Sequence, residues 1–208
     1  LFKMYQAFGH HFDFIAIPII KKRLRTDTSK VIIDESRPNL TEHLATRFKE
    51  KIGQNVNLLG EVVLGNGEAD HRYHHYLEAL ESPDINYISV KISGIYAQTH
   101  ALNYRESFPE LVRRMSALYQ KAIDNPYVDE DGLKRAKFIN LDMEEYKDAH
   151  FTMRLFKEVL SKPEFKNYSA GIVVQAYLPD AYDFQTELLE FAKARVESGG
   201  APIKMRLV

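Results

Sequence analysis

Cysteine is absent from the 208 residues, which excludes a disulfide framework and any thiolate-ligated metal centre and fits a reducing compartment. Charge of one sign is not in excess either: 28 Lys and Arg stand against 29 Asp and Glu, a formal net charge of −1. The chain therefore has no broad basic field for nucleic acid. Long hydrophobic runs are missing as well. The longest apolar stretch, Phe14 to Ile20, is too short to span a bilayer and contains Pro18. No low-complexity linker interrupts the sequence. What is present is 45% hydrophobic and 27% charged, enough to bury a sizeable core and far from the composition of a disordered segment.

Five segments alternate as β-strands do, with apolar residues at one parity and polar or charged residues at the other. They are Val56-Asn57-Leu58-Leu59-Gly60-Glu61, Ile88-Ser89-Val90-Lys91-Ile92-Ser93, Ile139-Asn140-Leu141-Asp142-Met143-Glu144, Ile172-Val173-Val174-Gln175-Ala176-Tyr177 and Ile203-Lys204-Met205-Arg206-Leu207. Helical patterns fill the intervals at Asp70 to Leu80, Phe108 to Ile123, Ala149 to Leu160 and Asp183 to Val196. Strands separated by amphipathic helices predict a parallel sheet whose apolar face is covered by helices. If the sheet curls into a barrel, the polar parity points to the axis, and Lys91, Asp142, Gln175 and Arg206 converge near the C-terminal mouth, where such barrels bind ligands. Unpaired buried charge is costly, so a cluster of this kind pairs internally or with a ligand. The pattern predicts an active site there.

Residues 1 to 53 lack the strand-helix alternation and form an N-terminal helical segment; 54 to 208 form the barrel portion. The apolar Phe12 to Ile20 patch with its basic flank Lys21-Lys22-Arg23-Leu24-Arg25 could touch anionic lipid, although a helix packing under a barrel is the plainer reading. Asn39-Leu40-Thr41-Glu42 offers N-cap chemistry for a helix running to about Ile52 and ended by Gly53. A full (β/α)8 barrel takes about 250 residues. The chain is thus expected to be an excerpt holding about five of eight units.

Lys91 and Asp142 are expected to form an ion pair that either orients the barrel or serves the site. Gln175 offers a donor and an acceptor to a planar ligand, and Arg206 a permanently charged planar fork for an anionic or electron-accumulating ring. His71, His74 and His75 beside Asp70 could in principle bind metal, but they read better as the solvated side of a helix, and no metal is assigned. Gly65-Asn66-Gly67 reads as a turn into that helix rather than a phosphate loop. His10 and His11 are given no role.

Read together and in order, the five strand motifs closely resemble the proline dehydrogenase domain of the bacterial proline utilization A family, over about residues 30 to 208. That resemblance implies a distorted (β/α)8 barrel, of TIM type, that binds FAD noncovalently and oxidises L-proline to Δ1-pyrroline-5-carboxylate. It further implies electron transfer to a membrane quinone and a bacterial cytoplasmic location, with possible peripheral contact at the inner membrane. It also implies a bifunctional parent whose second domain, not visible here, uses NAD to oxidise the product to glutamate. Lys91 resembles the family's strand-two lysine in the proline pocket, Asp142 its strand-three partner, Gln175 the glutamine that hydrogen-bonds the isoalloxazine, and Arg206 the arginine at flavin N5. The family's Lys-Gly-Ala-Tyr run and its paired carboxylate-binding arginines would lie beyond Val208. Two other readings of the residues stand beside this one: a Schiff-base, aldolase-like lyase using Lys91, and an inactive barrel fragment or scaffold.

Overall fold

The computed structural model describes residues 13–28, 32–33, 37–58, 65–97, 104–143 and 145–208. Two compact units divide the chain, Leu1–Ile52 and Gly53–Val208. The first contains helix α1, Asp13–Thr28, and helix α2, Arg37–Lys49. From Asp13 on, the apolar patch and its basic flank lie on α1, where Phe14, Ile17, Ile19 and Leu24 are exposed; Phe12 falls outside the described residues. His10 and His11 fall outside the described residues. No helix among the described residues is long and apolar enough to cross a membrane.

Helix α2 departs from its expected limits at both ends. It starts at Arg37 rather than around Asn39–Glu42, because Pro38 suits a first turn, where its missing N–H has no intrahelical partner to lose. It stops at Lys49 without using Gly53. Lys51 takes a left-handed φ of 58° and donates its N–H to the Phe48 carbonyl at 3.0 Å, while Ile52 donates to Arg47 O at 3.0 Å. These two bonds make a Schellman closure on a lysine.

The second unit runs β1 Val56–Asn57, α3 Asn66–Glu81, β2 Tyr87–Lys91, a single turn α4 Ile92–Ile95 and α5 Tyr104–Asp124. The short strands β3 Tyr127–Val128 and β4 Lys134–Arg135 follow, then β5 Phe138–Asp142, α6 Ala149–Leu160, β6 Gly171–Val174, α7 Ala181–Glu197 and β7 Lys204–Leu207. Strands β1, β2, β5, β6 and β7 form one all-parallel sheet in that order. This is the strand order of successive units in a β/α barrel, as the alternation of strand and helix patterns predicts. The strands β3 and β4 make a separate antiparallel hairpin that the sequence reading did not separate from the helix-to-strand connection. Its turn is tied by Asp129, whose Oδ1 accepts from the backbone of Asp131 and Leu133 at 3.1 and 2.8 Å.

Burial follows the parity argument. Ile88, Val90, Ile139, Leu141, Ile172 and Val174 are all essentially inaccessible, as are Leu111, Met115 and Leu118 of α5, Phe156 and Val159 of α6 and Leu188 of α7. The apolar parity therefore lies in the core that holds the helices. The opposite parity is also covered: Ser89 and Asn140 are buried. Several strands stop short of the expected runs, β6 among them, which ends at Val174 before Gln175, Ala176 and Tyr177. Strand β2 stops at Lys91, and Ile92 and Ser93 wind into α4; β5 stops at Asp142, so Met143 leaves the ladder.

Arginines knit the elements together. Arg114 of α5 pairs with Asp70 of α3 at 2.5 Å and with Glu110 at 2.6 Å. It also donates to Ile95 O at 2.9 Å and lies over the Tyr73 and Tyr96 rings. Arg195 of α7 donates to the carbonyls of Leu160, Phe165, Lys166, Tyr168 and Ala201. It thereby caps the end of α6 and ties down the segments that enter β6 and β7.

Candidate active site

Sheet register sets the site. Lys91 stands opposite Asp142, Leu141 opposite Ile172, and Val173 opposite Arg206, so Lys91, Asp142, Val173 and Arg206 occupy one level across four strands. One level toward the strand starts come Asn57, Ser89, Asn140, Gly171 and Lys204. Because side chains alternate along a strand, both levels present to the same face.

Asp142 is the centre of this face. Its Oδ1 accepts from Arg206 Nη2 at 2.9 Å, from Asn140 Nδ2 at 2.7 Å and from Ser89 Oγ at 3.3 Å. Ser89 Oγ in turn accepts from Asn55 Nδ2 at 2.8 Å. A chain of side-chain bonds thus runs from the start of β1 to β7. The expected partner of Asp142 was Lys91; the ion pair that the structure shows comes from Arg206. Arg206 lies two strands away, a span of about 10 Å at the usual strand spacing. Only a long side chain crosses it, and the guanidinium can anchor one amino group on the carboxylate and keep its other donors for use elsewhere. Arg206 Nε is one such donor: it is buried and has no hydrogen-bond partner.

Gln175 follows β6 directly and is buried, 8% exposed. The strand ladder continues past it, since Ala176 N–H donates to Val208 O at 2.8 Å and Val208 N–H to Val174 O at 3.0 Å. Its backbone is therefore held beside the end of the strand that carries Arg206. Below this level, Lys204 Nζ sits 5.3 Å from the Tyr87 ring centroid and 5.8 Å from that of Phe138, and the two rings meet edge to face. Burial raises the Tyr87 phenol above its ordinary range; Arg206 opposes that shift and Asp142 adds to it. The same ion pair is thus felt at the floor of the face.

The route across β6 depends on a missing side chain. A Cβ on Gly171 would lie 2.6 Å from Asn140 Oδ1 and 2.9 Å from the Phe138 ring, so any larger residue would displace the groups that hold Asp142.

The sequence reading named Lys91, Asp142, Gln175 and Arg206. The structure puts Lys91, Asp142 and Arg206 on one level and Gln175 just past the end of β6, two residues beyond Val173. The reading gave no role to Ser89, Asn140 or Asn55. Their signal was present, because Ser89 and Asn140 share the polar parity, but short uncharged side chains announce no chemistry by themselves. His71, His74 and His75 do not assemble: among the described residues no cluster of metal-ligating side chains occurs. His71 instead packs edge-on against His75, and His74 bonds the Asp70 carbonyl. Gly65 precedes α3 as its N-cap residue, in keeping with a turn into a helix.

Comparison with known proteins places the chain. No match was found among curated proteins. Among solved structures, the chain is similar to proline utilization A (PutA) from Corynebacterium freiburgense, with 38% identity and a TM-score of 0.80, covering 98% of this chain and 20% of that one. It is also similar to PutA from Bdellovibrio bacteriovorus inactivated by N-propargylglycine, with 30% identity and a TM-score of 0.77, covering 92% and 21% of the two chains. PutA from Bradyrhizobium japonicum, 22% identical with a TM-score of 0.61 over 74% of this chain and 16% of that one, shares the fold. The chain spans about a fifth of the length of the Corynebacterium freiburgense and Bdellovibrio bacteriovorus PutA proteins. The five-stranded parallel sheet is accordingly part of a (β/α)8 barrel. The family model "Proline dehydrogenase" matches residues 40–208, so the chain belongs to the proline dehydrogenase family.

Proposed function

We propose that these residues form the flavin- and substrate-facing part of an enzyme that oxidises L-proline to Δ1-pyrroline-5-carboxylate with noncovalently bound FAD. One observation carries the reading: the Asp142–Arg206 pair at the C-terminal edge of a parallel sheet, with a buried Arg206 N–H donor left without a partner. Buried donors are nearly always satisfied, and an N–H on a fixed cation suits a ring acceptor at which negative charge accumulates. Gln175, held beside the same strand end, offers an amide to the edge of that ring. The residues present thus fit a flavin.

When bound, FAD would supply the two-electron acceptor that oxidation of proline at C5 requires, and Arg206 and Gln175 would face its ring. The rest falls to the protein. Arg206 offsets the charge that develops on the ring, and Asp142 keeps its guanidinium from swinging away. Lys91, level with Asp142, contributes to the proline pocket and its charge balance. Transfer of electrons to a membrane quinone, a cytoplasmic location with peripheral membrane contact, and a second, NAD-dependent domain acting on the product complete the proposal for the whole protein.

The test is the visible spectrum of the complete enzyme that carries these residues, taken before and after anaerobic L-proline. A yellow protein whose flavin bands bleach with proline is the expected result. A protein that stays colourless after FAD is supplied overturns the reading and returns Lys91 to the lyase alternative, which borohydride trapping of a carbonyl substrate would then examine.

A further inference from the structure

Asn140 is buried on β5, one level below Asp142. Of the three bonds that Asp142 Oδ1 receives, the one from Asn140 Nδ2 is the shortest, at 2.7 Å. The other end of this amide is in a costly state: Asn140 Oδ1 is buried with no hydrogen-bond partner, and a buried carbonyl left so loses free energy relative to water. Half a turn of the amide would not relieve it, because the oxygen would then face the carboxylate. The orientation of Asn140 is set by Asp142. Its register partner Gly171 leaves the space that this orientation needs.

We infer that Asn140 is a positioning residue for the flavin reaction. With Ser89, it fixes the Asp142 carboxylate that anchors Arg206, and so holds the guanidinium where charge develops on the ring. The inference rests on the flavin reading above. An Asp142 carboxylate held by Arg206 alone could rotate and carry the arginine with it; donors from β2 and β5 on the same oxygen prevent that rotation. Neither Asn140 nor Ser89 has to touch substrate or cofactor for this effect.

The experiment uses the complete enzyme with Asn140→Ala, Asp142→Asn, the double variant, and Ser89→Ala. FAD affinity is measured by calorimetry on the apoprotein, the midpoint potential of the bound flavin by reductive titration, and the rate of anaerobic reduction by L-proline. Wild type is measured first. If it takes up no flavin, the functional reading falls and this inference with it; if it bleaches with proline, the variants speak for Asn140 alone. In Asn140→Ala we expect reduction slowed by about tenfold, the effect of losing one hydrogen bond to a charged group, with proline KM altered less than kcat. The flavin potential should become more negative, because the cation is no longer held at the ring. In the Asp142→Asn background the same change should have little further effect, since both substitutions release one anchor. Ser89→Ala, a smaller perturbation of the fold, should move rate and potential in the same direction by less. An Asn140→Ala or Ser89→Ala enzyme that melts earlier but keeps the wild-type potential and reduction rate would overturn the inference. So would effects that simply multiply in the double variant.

Discussion

At the scale of single residues, the fold uses arginine where a planar, multiply donating cation is required. Arg206 anchors one amino group on Asp142 and retains a buried Nε donor. Lysine in its place would keep the charge but not the divided use of donors. Glu110 shows the converse, a carboxylate gripped by two arginines. Hydrogen bonds from Arg113 and Arg114 hold its carboxyl at about 2, against an ordinary 4.5. A carboxylate whose folded value is depressed contributes stability above its unfolded value and loses it as pH falls toward the folded one. Glu110→Gln should therefore be less stable than wild type at neutral pH, with the gap closing between about pH 4.5 and pH 2. Because the site is partly open to solvent, the gap should stay below about 1 kcal/mol. Denaturant unfolding of both proteins across that range measures it; a gap that widens in acid would contradict the assignment. That Lys91, Asp142 and Arg206 share one face of the sheet was legible in the sequence, because charge at one parity of an otherwise apolar strand is unusual. The choice of Arg206 over Lys91 as the partner of Asp142 was not, since it depends on reach across an intervening strand.

At the scale of elements, helices and strands appeared where periodicity put them, and their ends were decided by local chemistry. Helix α6 matches its expected span, Ala149–Leu160, whereas α2 moved because Pro38 opens it and Lys51 closes it. Strand β2 lost Ile92 and Ser93 to a helical turn, although their alternation was perfect, because a two-residue period continues into any short apolar-polar pair. Arg195 links several elements at once. It satisfies five carbonyl oxygens on the α6–β6 and α7–β7 connections. Arg195→Lys keeps the charge but offers one ammonium to acceptors spread around a planar fork, and should cost about 2 to 4 kcal/mol through unsatisfied buried carbonyls. Chemical denaturation gives the value; a loss under about 0.5 kcal/mol, typical of surface positions, would show the clamp to be dispensable.

At the scale of the whole molecule, the buried hydrophobic residues among those described fall almost all in one unit. Leu44 is the buried hydrophobic residue described in Leu1–Ile52, while the others, from Ala69 to Leu188, lie in Gly53–Val208. Stability scales with the apolar surface buried. Residues 53–208 should therefore unfold cooperatively on their own, with a midpoint within a few degrees of that of residues 1–208. Circular dichroism melting of the two chains tests this; a shorter chain without a cooperative transition would assign the first unit a part in the core.

The sequence by itself determined the parallel β/α order and the parity that separates the apolar from the polar face of the sheet, because a strand's period and a helix's period are local properties of the chain. It also placed Lys91, Asp142 and Arg206 on one face near the strand ends. Only the tertiary structure decided how those residues combine. Register brought β2, β5, β6 and β7 to a common level, Gly171 left room across β6, and Asn140, Ser89 and Arg206 converged on one oxygen of Asp142. Positions 89, 140, 142 and 206 lie on three strands, and distance between strands is set by hydrogen-bond register, which no local pattern in the chain specifies.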